Sequence, residues 1–435
     1  MFMFVGLGLF YWNVLRAEII LTRNDNPRIL EQELRILRGE ILDRNGKVLA
    51  VSSGEPDRLQ RVYPIPEVGP AVGFYSITHG TAGVEDGFDE ILRNNPDDWW
   101  TALAQSALHL PQEGRGIKLA LDADLQLAAE AALGEARGAV LMFGINGDDP
   151  YRAWIHVMVS HPGFDPNFLD EQFEELGSNE NAPLLNRVTQ GQYQPGLLLQ
   201  PLILASALDN GQISLSDPVE SANRPIEING ATLQCKDPPP DPASWADVLR
   251  FQCPGPYVDI ADQVGVRGLD SLFSSFGLDT DPALELETET PPDEPLDDPQ
   301  LASIGYDKLT TTPLKIGLAM SALVNGGRLP QPQIGIETQD RDGNWQSWLL
   351  PVQEGQAISA QAAEAVRDVL SPDDSDLEYS LLVISGPDET TNAWYMGSAK
   401  VDNIQYVVVA VIEDSKREDR VQRLGRSLLS AVRNI

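Results

Sequence analysis

The sequence predicts a multi-domain α+β protein in which helices flank an antiparallel sheet. Its 435 residues are more than one domain usually holds, so two domains, or one large domain with an appendage, are expected. Apolar runs at 138–143 and 153–160, and again at 393–399 and 406–412, form two pairs separated by turn residues, a pattern typical of antiparallel strands. A last stretch, from about Arg417, has apolar residues at helical spacing.

The chain begins with an apolar segment, residues 1–15, that carries no charge. Fifteen helical residues reach only about 22 Å, short of the hydrocarbon core of a bilayer. Extending the segment to residue 21 includes Arg16 and Glu18. No cleavage signal follows, so we expect residues 1–21 to be an uncleaved membrane anchor. A start further upstream, which would make the anchor truncated, and a buried core helix are the alternatives.

Residues 22–115 are expected to form a separate N-terminal domain. Apolar residues between 29 and 37 recur at helical spacing. Asn45-Gly46 then lies between two short apolar runs, which predicts a β-hairpin with a two-residue turn.

Residues 116–435 are expected to form the larger domain. Asp122 precedes apolar residues at helical spacing and is a predicted N-cap. Acidic residues and prolines, without any basic residue, fill 281–300 and predict a solvated loop.

Charge and cysteine content limit the partners of the chain. The formal charge of −34, from 31 basic and 65 acidic residues, argues against a nucleic-acid partner, because binding a polyanion requires a basic surface. Cys235 and Cys253 come without a histidine pair or a second cysteine pair, so the sequence predicts no zinc site, and no other metal or cofactor motif is found. The two cysteines form either a disulfide, if the domain lies outside the cytoplasm, or two separate buried thiols.

Three strings of the sequence carry a resemblance to a known family. Residues 38–50 read R-G-E-I-L-D-R-N-G-K-V-L-A, and residues 61–85 contain Y-P and G-x-x-G-x-E. Residues 190–201 read Q-G-Q-Y-Q-P-G-L-L-L-Q-P. These strings resemble the class B penicillin-binding proteins, the peptidoglycan D,D-transpeptidases of cell elongation and division. The resemblance runs from about Tyr11 to Ile435 and implies a serine β-lactamase-like transpeptidase fold for 116–435, carried on a pedestal formed by 22–115.

The first catalytic motif of that family is altered in this chain. The family performs acyl transfer with S-x-x-K, S-x-N and K-[ST]-G, in which serine attacks the substrate carbonyl and lysine helps to move the proton. Leu197 stands at the serine position and Gln200 at the lysine position. Leucine has no lone pair with which to attack, and a neutral carboxamide takes up no proton at neutral pH.

The other two motifs are altered as well. Gln252 and Pro254 replace the serine and the asparagine on either side of a shared cysteine. The third motif is placed at Ile384, Ser385 and Gly386, where isoleucine replaces the cation. The resemblance therefore implies a chain with no catalytic residues.

The resemblance implies a role in peptidoglycan synthesis, and the lost motifs favour a scaffold or regulator that partners other cell-wall synthesis proteins. A weakly active acyl transferase or hydrolase with an unrecognised nucleophile is one alternative. Non-covalent binding of the peptidoglycan stem peptide is another. The bulk of the chain is expected outside the cytoplasm, held at the cell membrane by a single-pass anchor.

Overall fold

The computed structural model describes residues 33, 36–55, 58–94, 112–228, 230–289, 295–371, 376–385 and 390–434. Its strands are β1 (Ile36–Leu37), β2 (Ile41–Leu42), β3 (Val48–Glu55), β4 (Arg58–Val62), β5 (Phe74–Ser76), β6 (Gly80–Ala82), β7 (Gln112–Glu113), β8 (Ile117–Leu119), β9 (Gly138–Asn146), β10 (Asp149–His161), β11 (Pro218–Val219), β12 (Ile226–Ile228), β13 (Ala231–Leu233), β14 (Ala243–Ser244), β15 (Gln331–Gln333), β16 (Gly335–Gln339), β17 (Trp345–Ser347), β18 (Leu377–Ser385), β19 (Thr390–Val401) and β20 (Ile404–Ile412).

The α-helices of the described residues are α1 (Gly69–Val72), α2 (Val84–Gly87), α3 (Asp89–Arg93), α4 (Ala123–Leu133), α5 (Leu169–Ser178), α6 (Gln200–Asp209), α7 (Trp245–Arg250), α8 (Gly255–Ser275), α9 (Pro299–Ser303), α10 (Pro313–Ser321), α11 (Ala360–Leu370) and α12 (Glu418–Val432). Short 3-10 turns cover Pro66–Val68, Pro166–Phe168 and Gly196–Leu199.

A central sheet has the strand order β15-β10-β9-β20-β19-β18. The hairpins β9–β10 and β19–β20 are antiparallel, as the two pairs of apolar runs predicted, and β18, which was not predicted, adds to β19 in the same antiparallel sense. Helices α4 and α12 pack on one face, where Leu125, Leu133, Val421 and Leu428 are buried against the sheet. Helix α4 begins at the predicted N-cap, because Asp122 Oδ1 accepts from the backbone N–H groups of Asp124 and Leu125. The α+β prediction, an antiparallel sheet flanked by helices, is confirmed.

Another six-stranded sheet contains β3, the earliest long strand of the chain, and is called the first sheet. Its strand order is β17-β16-β8-β2-β3-β4. The predicted hairpin joins β2 to β3 through Asn45 and Gly46, and Asp43 Oδ1 accepts from the N–H groups of Asn45 and Lys47 at 2.8 Å each. Gly46 has a φ of 85°, which favours glycine. Strands β16 and β17 come from the later part of the chain, so this sheet connects residues on both sides of position 116.

Beside the first sheet, a buried ion cluster surrounds Glu85, whose side chain is fully buried. Glu85 Oε2 accepts from Arg38 Nε at 3.1 Å, while Oε1 accepts from Arg61 Nε at 2.6 Å and from the Tyr63 hydroxyl at 3.1 Å. Arg38 also donates to Asp89 Oδ1 at 2.6 Å. These five side chains come from β4, α2, α3 and adjoining segments, so the cluster connects these elements.

One local expectation is wrong where the structure describes it, and a second is incomplete. Ile36 and Leu37, expected at the end of a helix, form β1 in parallel with β7. The acidic segment is not simply solvated: Glu285 Oε1 accepts from Gly335 N and Trp348 Nε1, and Oε2 accepts from Ile334 N, at 3.1–3.2 Å. Both differences have the same cause. The conformation of each segment depends on strands and N–H groups that are distant in sequence, and local composition does not reveal those partners.

The expected anchor, residues 1–21, lies outside the described residues. Among the helices that are described, none has the length and apolar character needed to cross a membrane. The boundaries at 21/22 and 115/116 stay predictions.

His156 lies where the two sheets meet and is almost fully buried. Its Nδ1 lies 2.9 Å from Ala120 O. Burial, followed by the positive charge of Arg44, lowers the pKa of His156 to about 4. Because the unfolded chain keeps an ordinary histidine pKa near 6.5, the unfolded state binds more protons across this window, and stability falls as the pH falls through it.

We therefore expect acid sensitivity that depends on this one side chain. Between pH 7 and pH 4, the wild-type chain should lose roughly 3 kcal/mol more unfolding free energy than the His156→Gln variant does. Urea unfolding of both proteins at pH 7, 5.5 and 4 measures the difference. Parallel pH profiles for the two proteins would show that His156 can be protonated without cost in the folded state.

Candidate functional site

The tract 190–201, which resembles a catalytic motif, leads directly into α6. Tyr193 holds it in place by exchanging backbone hydrogen bonds with Thr311, at 2.9 and 2.8 Å. Gly196 has a φ of 53°, and a Cβ at this position would come within 2.7 Å of the Val383 side chain. Glycine is therefore required here, and it sets Leu197 in the 3-10 turn that precedes α6, opposite the edge strand β18.

The remnant site is the cleft between α6, the 252–254 segment and β18. Leu197 is only 8% exposed and belongs to the main apolar core. Its neighbours Leu198 and Leu199 are fully buried. Hydrocarbon therefore fills the position where a serine hydroxyl would meet a substrate.

Gln200 is fully buried, and both ends of its carboxamide are hydrogen bonded within the protein. Its Nε2 donates to Cys253 O at 3.1 Å, and the Tyr379 hydroxyl lies 3.0 Å from its Oε1. The same hydroxyl lies 3.1 Å from Leu197 O. Gln200 thus joins α6 to both other sides of the cleft as a neutral structural bridge.

The second altered motif is adjacent to this bridge. Gln252 adopts a φ of 52° and donates from Nε2 to Ser380 O at 2.9 Å. Pro254 is buried directly before α8. Between them, Cys253 forms a disulfide with Cys235, with an S–S distance of 2.08 Å. Of the two states that the sequence left open, the structure has the bridge, and this covalent link fixes the backbone carbonyl that Gln200 binds.

The edge strand presents the Tyr379 side chain and the Ser380 carbonyl to the cleft, and neither residue was singled out from the sequence. Ile384, placed in the third motif, lies five residues further along β18, about 16 Å at 3.3 Å per residue. Its N–H donates to the Tyr306 hydroxyl at 3.2 Å. Nothing is described of the Ser385 side chain beyond its place at the end of β18, and Gly386 lies outside the described residues.

A signal for Tyr379 did exist in the sequence. The run 377–383 has strand composition. Pairing it as a hairpin with the predicted strand at 393–399 would have placed Tyr379 and Ser380 further from the hairpin turn than Ile384. The acidic, proline-containing segments on either side obscured where this strand begins.

Three phenols of the cleft stay protonated at neutral pH. Burial raises the pKa of Tyr306 to about 12. Burial, and then the charge of Glu418, raises the pKa of Tyr379 far above its usual range, and burial also raises that of Tyr257. Within the described part of the chain, the Tyr257 hydroxyl is buried without a hydrogen-bond partner. None of these groups can serve as a general base, because each one holds its proton tightly.

A hydroxyl and a lysine do approach each other on the other face of β18. Ser380 Oγ donates to Glu418 Oε1 at 2.5 Å, and Lys236 Nζ donates to the same oxygen at 2.5 Å. Successive side chains of a strand point to opposite faces, so this hydroxyl faces α12 rather than the cleft. The carboxylate that separates it from the lysine is already bonded to both groups. The arrangement is an ion pair that fastens α12 to the sheet.

Restoring only the serine hydroxyl at position 197 should destabilise the folded chain. Leu197→Ser removes buried hydrocarbon and inserts a polar group into an apolar site, so we expect a loss of about 2–4 kcal/mol of unfolding free energy. The same exchange at Leu349, which is 55% exposed, is the matched control and should leave stability within about 0.5 kcal/mol. Urea unfolding of both variants distinguishes a filled cleft from an open one, since an open cleft would tolerate serine at both positions.

Both parts of the chain match models of known protein families. Residues 149–429 match the model of the penicillin binding protein transpeptidase domain, and residues 38–116 match that of the penicillin binding protein A dimerisation domain. The peptidoglycan D,D-transpeptidase PbpA of Mycolicibacterium smegmatis is 25% identical over 94% of this chain and 89% of its own length. The PbpA of Mycobacterium tuberculosis is 26% identical over 79% of this chain and 74% of its own length.

Solved structures show the same fold. The crystal structure of PBPA from M. tuberculosis covers 91% of this chain and 99% of its own, with a TM-score of 0.77 and 25% identity. A penicillin G acyl-enzyme complex of penicillin-binding protein A from that organism gives a TM-score of 0.79 at 24% identity, again with 91% and 99% coverage.

Proposed function

Because the chain belongs to the penicillin-binding protein transpeptidase family, we propose that it takes part in peptidoglycan synthesis without performing transpeptidation. It would act there as a scaffold or regulator for other cell-wall synthesis proteins. The relatives that support the cell-wall role are named peptidoglycan D,D-transpeptidases.

One observation carries the inactive assignment: the first-motif positions are occupied by a buried leucine and by a glutamine that is hydrogen bonded on both sides. Acyl transfer needs a nucleophile with a lone pair and a group that removes its proton. Leu197 supplies no lone pair, and Gln200 supplies no base. Because Tyr379 and Cys253 hold the carboxamide in place, it cannot move aside without breaking two buried hydrogen bonds.

The hydrogen bonds already made at the edge of β18 favour a scaffold over a protein that binds the stem peptide. In the resembling family, the substrate lies along this edge strand, so the free backbone groups of the edge matter. Here Ser380 O already accepts from Gln252 Nε2, and Ile384 N already donates to the Tyr306 hydroxyl. A peptide adding to this edge would first have to displace both internal partners, each at the cost of leaving a buried group unsatisfied.

We further propose that residues 1–21 anchor the chain in the cell membrane and that residues 22–115 and 116–435 lie outside the cytoplasm. The disulfide between Cys235 and Cys253 supports this location, because disulfides persist in oxidising compartments.

Release of D-alanine from a stem peptide ending in D-Ala-D-Ala tests the proposal. The full chain should release none above the enzyme-free rate, while the M. tuberculosis PbpA, named as a D,D-transpeptidase, serves as the active control. Turnover by this chain would support the alternative of a weakly active enzyme and overturn the inactive assignment.

Co-sedimentation with purified cell wall distinguishes a scaffold from the remaining alternative, a non-covalent binder of the stem peptide. A scaffold that binds only proteins should stay in the supernatant. Retention that is competed by free stem peptide would indicate the non-covalent binder instead. The Gln252→Ala variant sharpens the result, since freeing Ser380 O should increase retention only if the edge of β18 holds the peptide.

A further inference from the structure

A second cavity lies away from the remnant site, at the junction of the first sheet and the central sheet. It has a volume of about 230 Å³, and its lining combines one cation, one imidazole, one carboxamide and apolar groups. Arg44, His156, Trp154, Ile336 and Ile404 are the lining side chains that matter here. They come from the β2–β3 turn, β10, β16 and β20, so the cavity exists only because the two sheets meet.

Arg44 is an exposed guanidinium whose charge is not neutralised at close range. No carboxylate of the described residues forms an ion pair with it, although the chain carries a net charge of −34. The nearby carboxylate of Asp122 is engaged elsewhere, since Oδ1 caps α4 and Oδ2 accepts from Asn45 Nδ2 at 3.2 Å. The guanidinium therefore offers an anion two parallel donors at the edge of the cavity.

His156 supplies an acceptor inside the same cavity. Its Nδ1 lies 2.9 Å from Ala120 O, which fixes the proton on Nδ1 and leaves the lone pair on Nε2. The second group near Nδ1, Arg44 Nη1 at 3.3 Å, can only donate and does not change this assignment. Nε2 faces Gly144, where a Cβ would come within 2.9 Å of it. The glycine thus keeps space beside an unprotonated ring nitrogen.

We propose that this cavity binds a small carboxylate that carries a flat apolar group with an N–H or O–H donor. The carboxylate pairs with Arg44, the flat group lies against the Trp154 indole and the aliphatic side chains of Ile336 and Ile404, and the donor bonds His156 Nε2. The inference does not depend on the cleft at Leu197 being inactive, because the two sites share no residue.

The size and chemistry of the cavity select the probes. Indole-3-acetate has the carboxylate, the flat body and the N–H donor, and it is small enough for this volume. Indole-3-acetamide lacks only the charge, and 1-naphthaleneacetate lacks only the donor. Titration calorimetry of the full chain with each probe should give saturable binding of indole-3-acetate and weaker binding of the other two.

Variants connect the binding to this cavity. Arg44→Gln should weaken indole-3-acetate binding about tenfold or more, because charge-assisted hydrogen bonds are lost. Arg267→Gln, on the exposed side of α8, is the matched control and should bind like the wild type. Ile336→Phe keeps Arg44 but fills the space, and it should weaken binding as well.

Three results would overturn the proposal. The first is the absence of saturable binding at low-millimolar indole-3-acetate. The second is equal affinity of the Arg44→Gln and Arg267→Gln variants, which would indicate non-specific binding elsewhere. The third is unchanged affinity after Ile336→Phe in a variant whose unfolding midpoint matches that of the wild type, since a filled cavity could not hold the probe.

Discussion

Replacing Glu85 by glutamine is expected to destabilise the chain by about 3–5 kcal/mol, the usual cost of breaking a buried ion pair from one side. The carboxylate is fully buried and binds two guanidinium groups, Arg38 and Arg61, together with the Tyr63 hydroxyl. Glutamine has nearly the same shape but no charge, so two cations would stay buried with only Asp89 nearby. The glutamine side-chain NH₂ would also face one of the N–H or O–H donors that the Glu85 carboxylate accepts from, so two donors would meet.

The urea unfolding midpoint measures this loss. Glu364→Gln is the matched control, because Glu364 pairs with Arg367 on the exposed surface of α11, where ion pairs contribute little. The control should unfold at nearly the wild-type midpoint. Equal midpoints for all three proteins would show that the cluster is not needed for stability.

The second large effect is expected from Gln200→Lys, which restores the family's residue at its own position. The ammonium would replace an amide that is fully buried, and the Tyr379 hydroxyl would lose its acceptor at Oε1. No carboxylate forms part of the hydrogen-bond set around Gln200 in the described residues. We expect a loss of about 3–5 kcal/mol at pH 7, because a buried lysine without a counter-charge is strongly disfavoured.

The pH dependence identifies the cause. Burial should lower the pKa of the introduced lysine in the folded state, while the unfolded chain keeps a value near 10.4. The unfolded state then binds more protons below about pH 10, so the variant should regain stability relative to the wild type as the pH rises from 7 towards 10.

Gln200→Met is the matched control for the lysine variant. It removes the same hydrogen bonds without adding a charge, so it should cost about 1–3 kcal/mol at every pH in this range. Urea unfolding of the three proteins at pH 7, 8.5 and 10 tests this. If lysine and methionine variants kept a constant difference across that range, the lysine would have found solvent or a partner, and the cleft would be more open than the structure shows.

Local rules predicted those parts of the fold that depend on neighbouring residues. Asn45-Gly46 formed its hairpin, Asp122 capped α4, and the runs at 393–399 and 406–412 paired in antiparallel register. In each case the residues that decide the conformation lie within a few positions of one another. Ile36–Leu37 was misjudged because its conformation depends on pairing with residues 112–113, far along the chain.

The candidate site was only partly predictable for the same reason. Leu197 and Gln200 could be located because the glycine and prolines around them preserve a continuous string. Tyr379 was missed, because strand composition alone does not show which part of β18 reaches α6, and that is set by the register of the central sheet. The anchoring of Glu285 likewise depends on N–H groups of β16 and its flanking residue Ile334. Such partners are distant in sequence, and their positions follow only from the assembled fold.

Intact-mass spectrometry after incubation with penicillin G tests the inactive assignment most directly. The full chain should keep its original mass at any drug concentration if, as we propose, Leu197 and Gln200 leave the described part of the cleft without a nucleophile and base that could open the β-lactam ring. The M. tuberculosis penicillin-binding protein A, for which a penicillin G acyl-enzyme complex is known, should gain the mass of one drug molecule under the same conditions. A stoichiometric mass increase on this chain, mapped by peptide sequencing to any hydroxyl of the cleft, would contradict the assignment.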